Sequence, residues 1–215
     1  MAEQETKEWP VKMLFFDTET TGLDPVKNSL FQIALIVEID EQIKFRKSYY
    51  ARPLAGTIAS PEALKINKVT VEQLRDMPPA EETFKKIRDD ISPFLNGSRF
   101  DKFILSGYNS GPFDIPFFKT WVEKIAGFTE YNKMFWVGGV DVMDFALWKL
   151  RKTRGNMVNF KQETVARELG IKVDENLSHE GMYDVCTCYN IFRAIFKKPL
   201  VDFSAEQGNA PQNTP

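Results

Sequence analysis

What most limits the folds open to this chain is its opening run of strand patterns. Val11 to Phe16 is a short apolar run ending in a charged turn, the pattern of a buried central strand. Phe31, Ile33, Leu35, Val37 and Ile39 then alternate with period two. Asp40-Glu41 offers a hairpin turn into a third strand, Ile43 to Ala51. After this meander the pattern changes to strands alternating with helices, which predicts an α/β fold: a mixed sheet flanked by helices.

Pro53 to Leu74 reads as loop with short helical pieces. Ala80 to Leu95 carries Phe84, Ile87, Ile91, Phe94 and Leu95 at helical spacing, with Pro93 set to kink or end it. Asp101 to Ser106 reads as a fourth strand, followed by a Gly/Asn/Ser/Pro loop. A helix then starts near Pro116 with Phe117, Phe118, Trp121, Val122 and Ile125 along one side. Met134 to Val140 is expected as a fifth strand, leading through Asp141 into a helix with Phe145 and Trp148. Phe160 to Leu169 reads as a helix stopped by Gly170. A last helix, about Gly181 to Phe196, has Val185, Cys188, Tyr189, Phe192, Ile195 and Phe196 on its inner face. Trp121, Trp136 and Trp148 are expected in core positions.

At 215 residues the chain is expected to be one domain over 11–203, with 1–10 a flexible leader and 204–215 a disordered tail. A chain this long can bury a core without disulfide or metal staples. Cys186 and Cys188 should lie on different faces of the last helix as free thiols, in keeping with a cytoplasmic protein, and without a second Cys/His pair they make no metal site. No signal peptide and no membrane-spanning run is evident, so no membrane partner is expected. Lys plus Arg is 28 against 30 Asp plus Glu, a net charge of −2, which excludes nucleic-acid binding by bulk positive charge. Any such contact must be local: a groove, a few cations, stacking rings, metal ions. The one basic cluster is Lys149, Arg151, Lys152 and Arg154, readable as a solvated helix end or as a phosphate-tracking patch.

Three segments carry possible chemistry. In Asp17-Thr18-Glu19-Thr20-Thr21-Gly22-Leu23, positions i and i+2 of a strand share a face, so Asp17 and Glu19 project together. Such a pair repels itself unless a cation is bound, and Mg²⁺ takes oxygen ligands from one or two carboxylates plus substrate phosphate. By residue type the segment also reads as a turn whose Asp and Thr satisfy backbone donors. In Asn109-Ser110-Gly111-Pro112-Phe113-Asp114, the acid could equally be the N-cap of the next helix and Phe113 core. In Ser178-His179-Glu180-Gly181-Met182-Tyr183-Asp184, the chain's one histidine lies in a polar loop, where it could act as a base near neutral pH or serve a structural role.

Taken together and in this order, the segments resemble the DEDD exonuclease superfamily, an RNase H-like group that includes the proofreading subunit of bacterial DNA polymerase III. The resemblance spans about residues 12–196. Asp17 and Glu19 in DTETTGL match the first motif, Asp114 in NSGPFD the second, and His179 with Asp184 the third. Ala63 to Thr70 resembles a further family stretch with Asn67 where the family has glycine, and Asp141 resembles the head of another. His179 lies five residues before Asp184, the histidine (DEDDh, DnaQ-like) pattern, whereas the tyrosine branch would need tyrosine at Glu180.

The resemblance implies an RNase H-like five-stranded sheet, an antiparallel three-strand meander plus parallel strands. It implies 3′→5′ hydrolysis of single-stranded ends with two Mg²⁺, Mn²⁺ substituting. Asp17 would bridge the ions, Glu19 and Asp184 would complete the first, Asp114 would hold the second, and His179 would deprotonate the attacking water. Two cations about 3.5–4 Å apart can clamp attacking and leaving oxygens together. Thr18, Thr20, Thr21, Leu23, Asn109 and Phe113 would surround the terminal nucleotide, with Leu23 wedged against the base. Asn109 stands five residues before Asp114, as in oligoribonuclease-like members, and Tyr108 replaces the histidine usual in the polymerase subunit. DNA is expected ahead of RNA. The alternatives are RNase T-like RNA trimming and a catalytically silent nucleic-acid-binding module. Proofreading beside a polymerase partner, repair and RNA turnover all stay open.

Overall fold

The computed structural model describes residues 9–174, 176–177 and 180–204. His179 and Ser178 lie outside the described residues, as do most of the expected leader and tail.

The apolar opening run becomes β1 (Lys12–Thr20), which pairs antiparallel with β2 (Leu30–Ile39), itself antiparallel to β3 (Gln42–Tyr50). At the hairpin Asp40 and Glu41 both take positive φ (49° and 66°), the left-handed backbone that a two-residue hairpin loop needs. Two short helices follow, α1 (Pro61–Ile66) and α2 (Val71–Asp76); Ser60 caps the first and Thr70 closes a capping box with Gln73 on the second. Helix α3 (Ala80–Ile91) ends in a single 3₁₀ turn at Ser92–Phe94, because Pro93 has no N–H with which to continue it.

Strand β4 (Phe103–Gly107) lies parallel to β1, and helix α4 (Asp114–Ala126) follows it. Helix α5 (Phe128–Met134) then leads into β5 (Phe135–Asp141), parallel to β4. Helices α6 (Val142–Lys149), α7 (Gln162–Glu168) and α8 (Gly181–Ile195) complete the chain. The sheet order is β3-β2-β1-β4-β5. This is the expected mixed five-stranded architecture.

Each face of the sheet carries its own apolar cluster. Leu14, Phe16 and Leu35 pack with Phe84, Phe118 and Trp121 of α3 and α4. Met13, Phe15 and Ile36 pack with Val165, Val185 and Tyr189 of α7 and α8. Because β1 is covered on both sides, alternate side chains beyond Phe16 point into different layers, and this positions the site.

Several expectations need correction. The first strand does not stop in a charged turn after Phe16; it runs on to Thr20, which keeps Asp17 and Glu19 at the strand end expected for them. Helix α5 was not foreseen, since its polar sequence has no strong apolar period. Trp148 is 71% exposed and Trp136 39%, because one stands at the outer end of α6 and the other on an edge strand. Cys186 and Cys188 are both buried: α8 is packed between the sheet on one side and α6 and α7 on the other, so opposite helix faces are both covered. No helix among the described residues is long and apolar enough to cross a membrane.

Candidate active site

Site geometry starts from strand parity. Asp17 and Glu19 share the face of Met13 and Phe15, towards α8, while Thr18 and Thr20 turn inward on the other face. Asp17 and Glu19 stay half-buried near the C-terminal end of the central strand, opposite Ala34 and Gln32 of β2. Asp184 sits in the first turn of α8, which presses on β2 at Gly181. A Cβ there would come within 3.4 Å of both Ala34 Cβ and Gln32 Nε2, so the small residue lets the helix approach.

Asp114 arrives from the other layer. The chain leaves β4 through Gly107, where a Cβ would lie 2.8 Å from the Phe16 carbonyl, and turns through Asn109 at φ 57°. The Asp141 carboxylate fixes this turn by accepting from the Asn109 N–H (2.8 Å) and Gly111 N–H (3.0 Å), and it caps α6 through the Met143 N–H. Asp114 then accepts at Oδ1 from the Thr18 N–H (3.0 Å) and Thr18 Oγ1 (2.7 Å), which ties α4 to the residue between Asp17 and Glu19. Asp114 is not the N-cap that its residue type allows: it is the first residue of α4, and its side-chain bonds cross to β1.

Electrostatics place the four acids in one neighbourhood. Burial first, then the charges of Asp114, Glu19 and Asp184, hold the Asp17 carboxyl well above its usual range. Burial, Asp184 and Asp114 push Glu19 up to about 7. Asp114 is also raised to about 7 by burial, against the lowering effect of its bonds from Thr18. Cys188, one turn along α8 from Asp184, is raised well above an ordinary thiol by burial and by Asp17, Asp141, Asp114 and Asp184, so it stays protonated and unreactive.

Among the described residues, no three Asp, Glu, His or Cys side chains gather tightly enough to grip an ion by themselves. The all-oxygen donor set nevertheless suits a hard divalent cation. Mg²⁺ is typically held by one or two carboxylates with water and substrate phosphate completing the shell, and its charge would relieve the repulsion just described.

The raised carboxyls have a consequence for stability. Folded Glu19 and Asp114 keep protons up to about pH 7 that the unfolded chain releases near pH 4, so their contribution to stability falls as pH rises between those values. In EDTA, Asp17→Asn is therefore expected to raise Tm more at pH 8 than at pH 5, by roughly 2–4 °C for each kcal/mol of repulsion relieved. Thermal unfolding at both pH values checks this, and an equal effect at both would contradict the assigned repulsion.

The residues expected around a terminal nucleotide divide. Leu23 is 85% exposed just beyond β1, free to meet a ligand, and Phe113 is half-buried with its ring centroid 5.0 Å from that of Phe117. Thr18, Thr20 and Thr21 are buried, and their hydroxyls donate to Asp114, to the Gly22 carbonyl and to the Ile58 carbonyl. Asn109 lines a separate cavity of about 480 Å³ with Asp141 and Val137, whose walls include none of the four acids.

Sequence reasoning missed two supports. Asn67 Nδ2 donates to the Thr20 carbonyl (3.0 Å), bracing the strand end, and Gln162 Nε2 donates to the Asp184 carbonyl (3.0 Å). Nothing in the sequence marks Gln162. Asp141, between a strand and a helix, did carry a capping signal.

Residues 14–192 match the RNase T-type family model described as exonuclease. The chain belongs to the exonuclease family. No curated protein sequence matches it significantly. Among solved structures it is similar to exonuclease I in a structure said to suggest how processivity is achieved, with a TM-score of 0.69 and 20% identity over 87% of this chain and 41% of that one. The zinc-bound E. coli exonuclease I–ssDNA complex gives 0.67 and 21%, covering 88% and 41%. E. coli exonuclease I with a dT13 oligonucleotide gives 0.64 and 21%, again covering 88% and 41%. At such identities the likeness concerns the fold, and this exonuclease-family chain spans about two fifths of the length of those proteins.

Proposed function

We propose that this chain is a divalent-metal-dependent 3′→5′ exonuclease of the histidine (DEDDh) branch, acting on single-stranded ends, DNA ahead of RNA. The observation that carries the reading is the neighbourhood of four acids, drawn from β1, α4 and α8, in which the charges of Asp114 and Asp184 lift the carboxyl pKa values of both Asp17 and Glu19. Acids gathered in a half-buried cleft repel one another and cost stability, and a cation site is the economical physical reason to keep them together.

In this reading Asp17, Glu19, Asp114 and Asp184 hold two Mg²⁺, with Mn²⁺ able to substitute. The bound ions supply charge neutralisation at the scissile phosphate and a lowered pKa for water. The chain's own residues do the rest. Thr18 fixes the orientation of Asp114 through two hydrogen bonds to one oxygen. Leu23, standing out from the end of β1, wedges against the terminal base, and Phe113 packs beside it. The Thr20–Thr21 segment, braced by Asn67 and Ile58, holds Leu23 beside the terminal nucleotide, its hydroxyls already engaged within the protein. His179 accepts the proton of the attacking water.

Similarity of fold to exonuclease I structures holding single-stranded DNA supports DNA as substrate. The five-residue spacing from Asn109 to Asp114 favours the RNA-trimming alternative. A cytoplasmic protein, one folded domain over 11–203 and a polymerase as partner are consistent with the proposal.

The test is digestion of 5′-labelled DNA and RNA ladders of matched sequence with Mg²⁺ and with EDTA. The expected result is stepwise shortening from the 3′ end, faster on DNA and abolished by EDTA. Faster RNA turnover would shift the assignment to RNA trimming. Binding without shortening would make the chain a silent module.

A further inference from the structure

The segment after α6 has no role in the proposed chemistry, yet its composition is unlike the rest of the chain. Between Asp144 and Glu163 there is no acidic residue, while Lys149, Arg151, Lys152, Arg154 and Lys161 supply five cations in a protein of net charge −2. All five are exposed, and among the described residues none is in an ion pair. The segment opens on Trp148, 71% exposed, with the Arg151 guanidinium carbon 4.5 Å from its ring centroid and Arg151 Nη1 donating to the Trp148 carbonyl (2.8 Å). Lone aromatics of this size are ordinarily buried. A Trp paired with Arg at the surface offers one indole face and a guanidinium plane to a flat, anionic partner.

The course of the segment gives these groups a direction. At its start Lys149 Nζ donates to the Ile195 carbonyl (3.3 Å), at the C-terminal end of α8. At its finish Tyr108 donates to the Phe160 carbonyl (2.8 Å) and Gln162 to the Asp184 carbonyl (3.0 Å), at the N-terminal end of the same helix. From Ile195 back to Asp184 is roughly 16 Å at a helical rise of about 1.5 Å per residue. The acid-free segment thus runs along the molecule from an exposed Trp–Arg pair to the head of α8, where Asp184 stands.

We propose that residues 148–161 form a track for the single-stranded nucleic acid lying 5′ of the end held in the cleft, with cations following the phosphates and Trp148 and Arg151 stacking on a base. The assignment rests on the exonuclease reading for the identity of the strand. Charge complementarity with a polyanion, joined to an exposed ring, favours a strand over a protein partner.

The experiment uses the full chain and 5′-fluorescein dT20 in EDTA, read by anisotropy across a salt series. Arg151→Gln/Lys152→Gln/Arg154→Gln is expected to weaken binding about tenfold or more and to flatten the log K against log salt slope by about 2, three phosphate contacts at about 0.7 each. Trp148→Ala is expected to weaken it about tenfold, with Trp148→Phe restoring most of the loss. Turnover of dT3 with Mg²⁺, too short to reach the track, should be unchanged in every variant. Unaltered dT20 affinity and slope in the variants would overturn the track and leave the face to a protein partner. Wild-type protein that binds dT20 in a Trp148-dependent way yet never cuts dT3 would sink the exonuclease reading while upholding the track.

Discussion

Asp17→Ala is expected to lower mononucleotide release by about 10³-fold or more while leaving the protein folded. Asp17 is the acid on which the other three converge electrostatically, lifted by Asp114, Glu19 and Asp184 together. In the proposed reading it would be the carboxylate shared between the two cations. Losing a shared ligand removes several kcal/mol of charge stabilisation at the phosphate, and each ~1.4 kcal/mol is a factor of ten in rate. The fold should survive because the side chain takes part in repulsion rather than packing; its strand neighbours Phe15 and Phe16 carry the core. The measurement is release from a 3′-labelled strand, with thermal unfolding as the control. Undiminished release would remove Asp17 from the chemistry, whichever nucleic acid is used.

The second large effect is at His179. His179→Ala is expected to lower the rate by roughly 10²–10⁴, the usual worth of a positioned general base, with little change in binding of a single-stranded end. Equal losses in rate and affinity would make it a residue that positions substrate. Wild-type activity should fall below about pH 6 as the imidazole protonates. Glu19 and Asp114, both raised to about 7, contribute a second acid limb, since a carboxyl must lose its proton to hold a cation. The two limbs separate by metal concentration. Raising Mg²⁺ competes with protons at the carboxylates and moves their limb to lower pH, whereas the imidazole limb stays. A profile flat from pH 5 to 8 at saturating metal would count against His179 as the base.

Much of the fold was legible in local pattern. The Asp40-Glu41 hairpin, the stop at Pro93 and the start of α4 near Pro116 follow from short-range rules of φ, missing donors and capping, and each stands within a residue or two of expectation. Helix α5 was not legible because its stability comes from tertiary burial of Tyr131 and Met134, which leaves no periodic signature in seven residues. The tryptophans mislead for a related reason. An apolar side chain at helical spacing predicts a core only where another layer covers that face, and among the described residues no helix or sheet layer buries Trp148 at the outer end of α6.

At the candidate site, the sequence alone determined which residues carry charge and that Asp17 and Glu19 share one side of a strand, because side-chain alternation is local geometry. Resemblance to the exonuclease motifs, rather than any local rule, singled out Asp114 and Asp184. Only the tertiary structure decided that these acids meet. That required Gly181 to let α8 settle on β2, Thr18 to draw Asp114 across from the opposite layer, and Asp141 to hold the turn between them. Contacts between residues some hundred positions apart depend on how whole layers pack, and no local rule of the chain encodes the distance between layers.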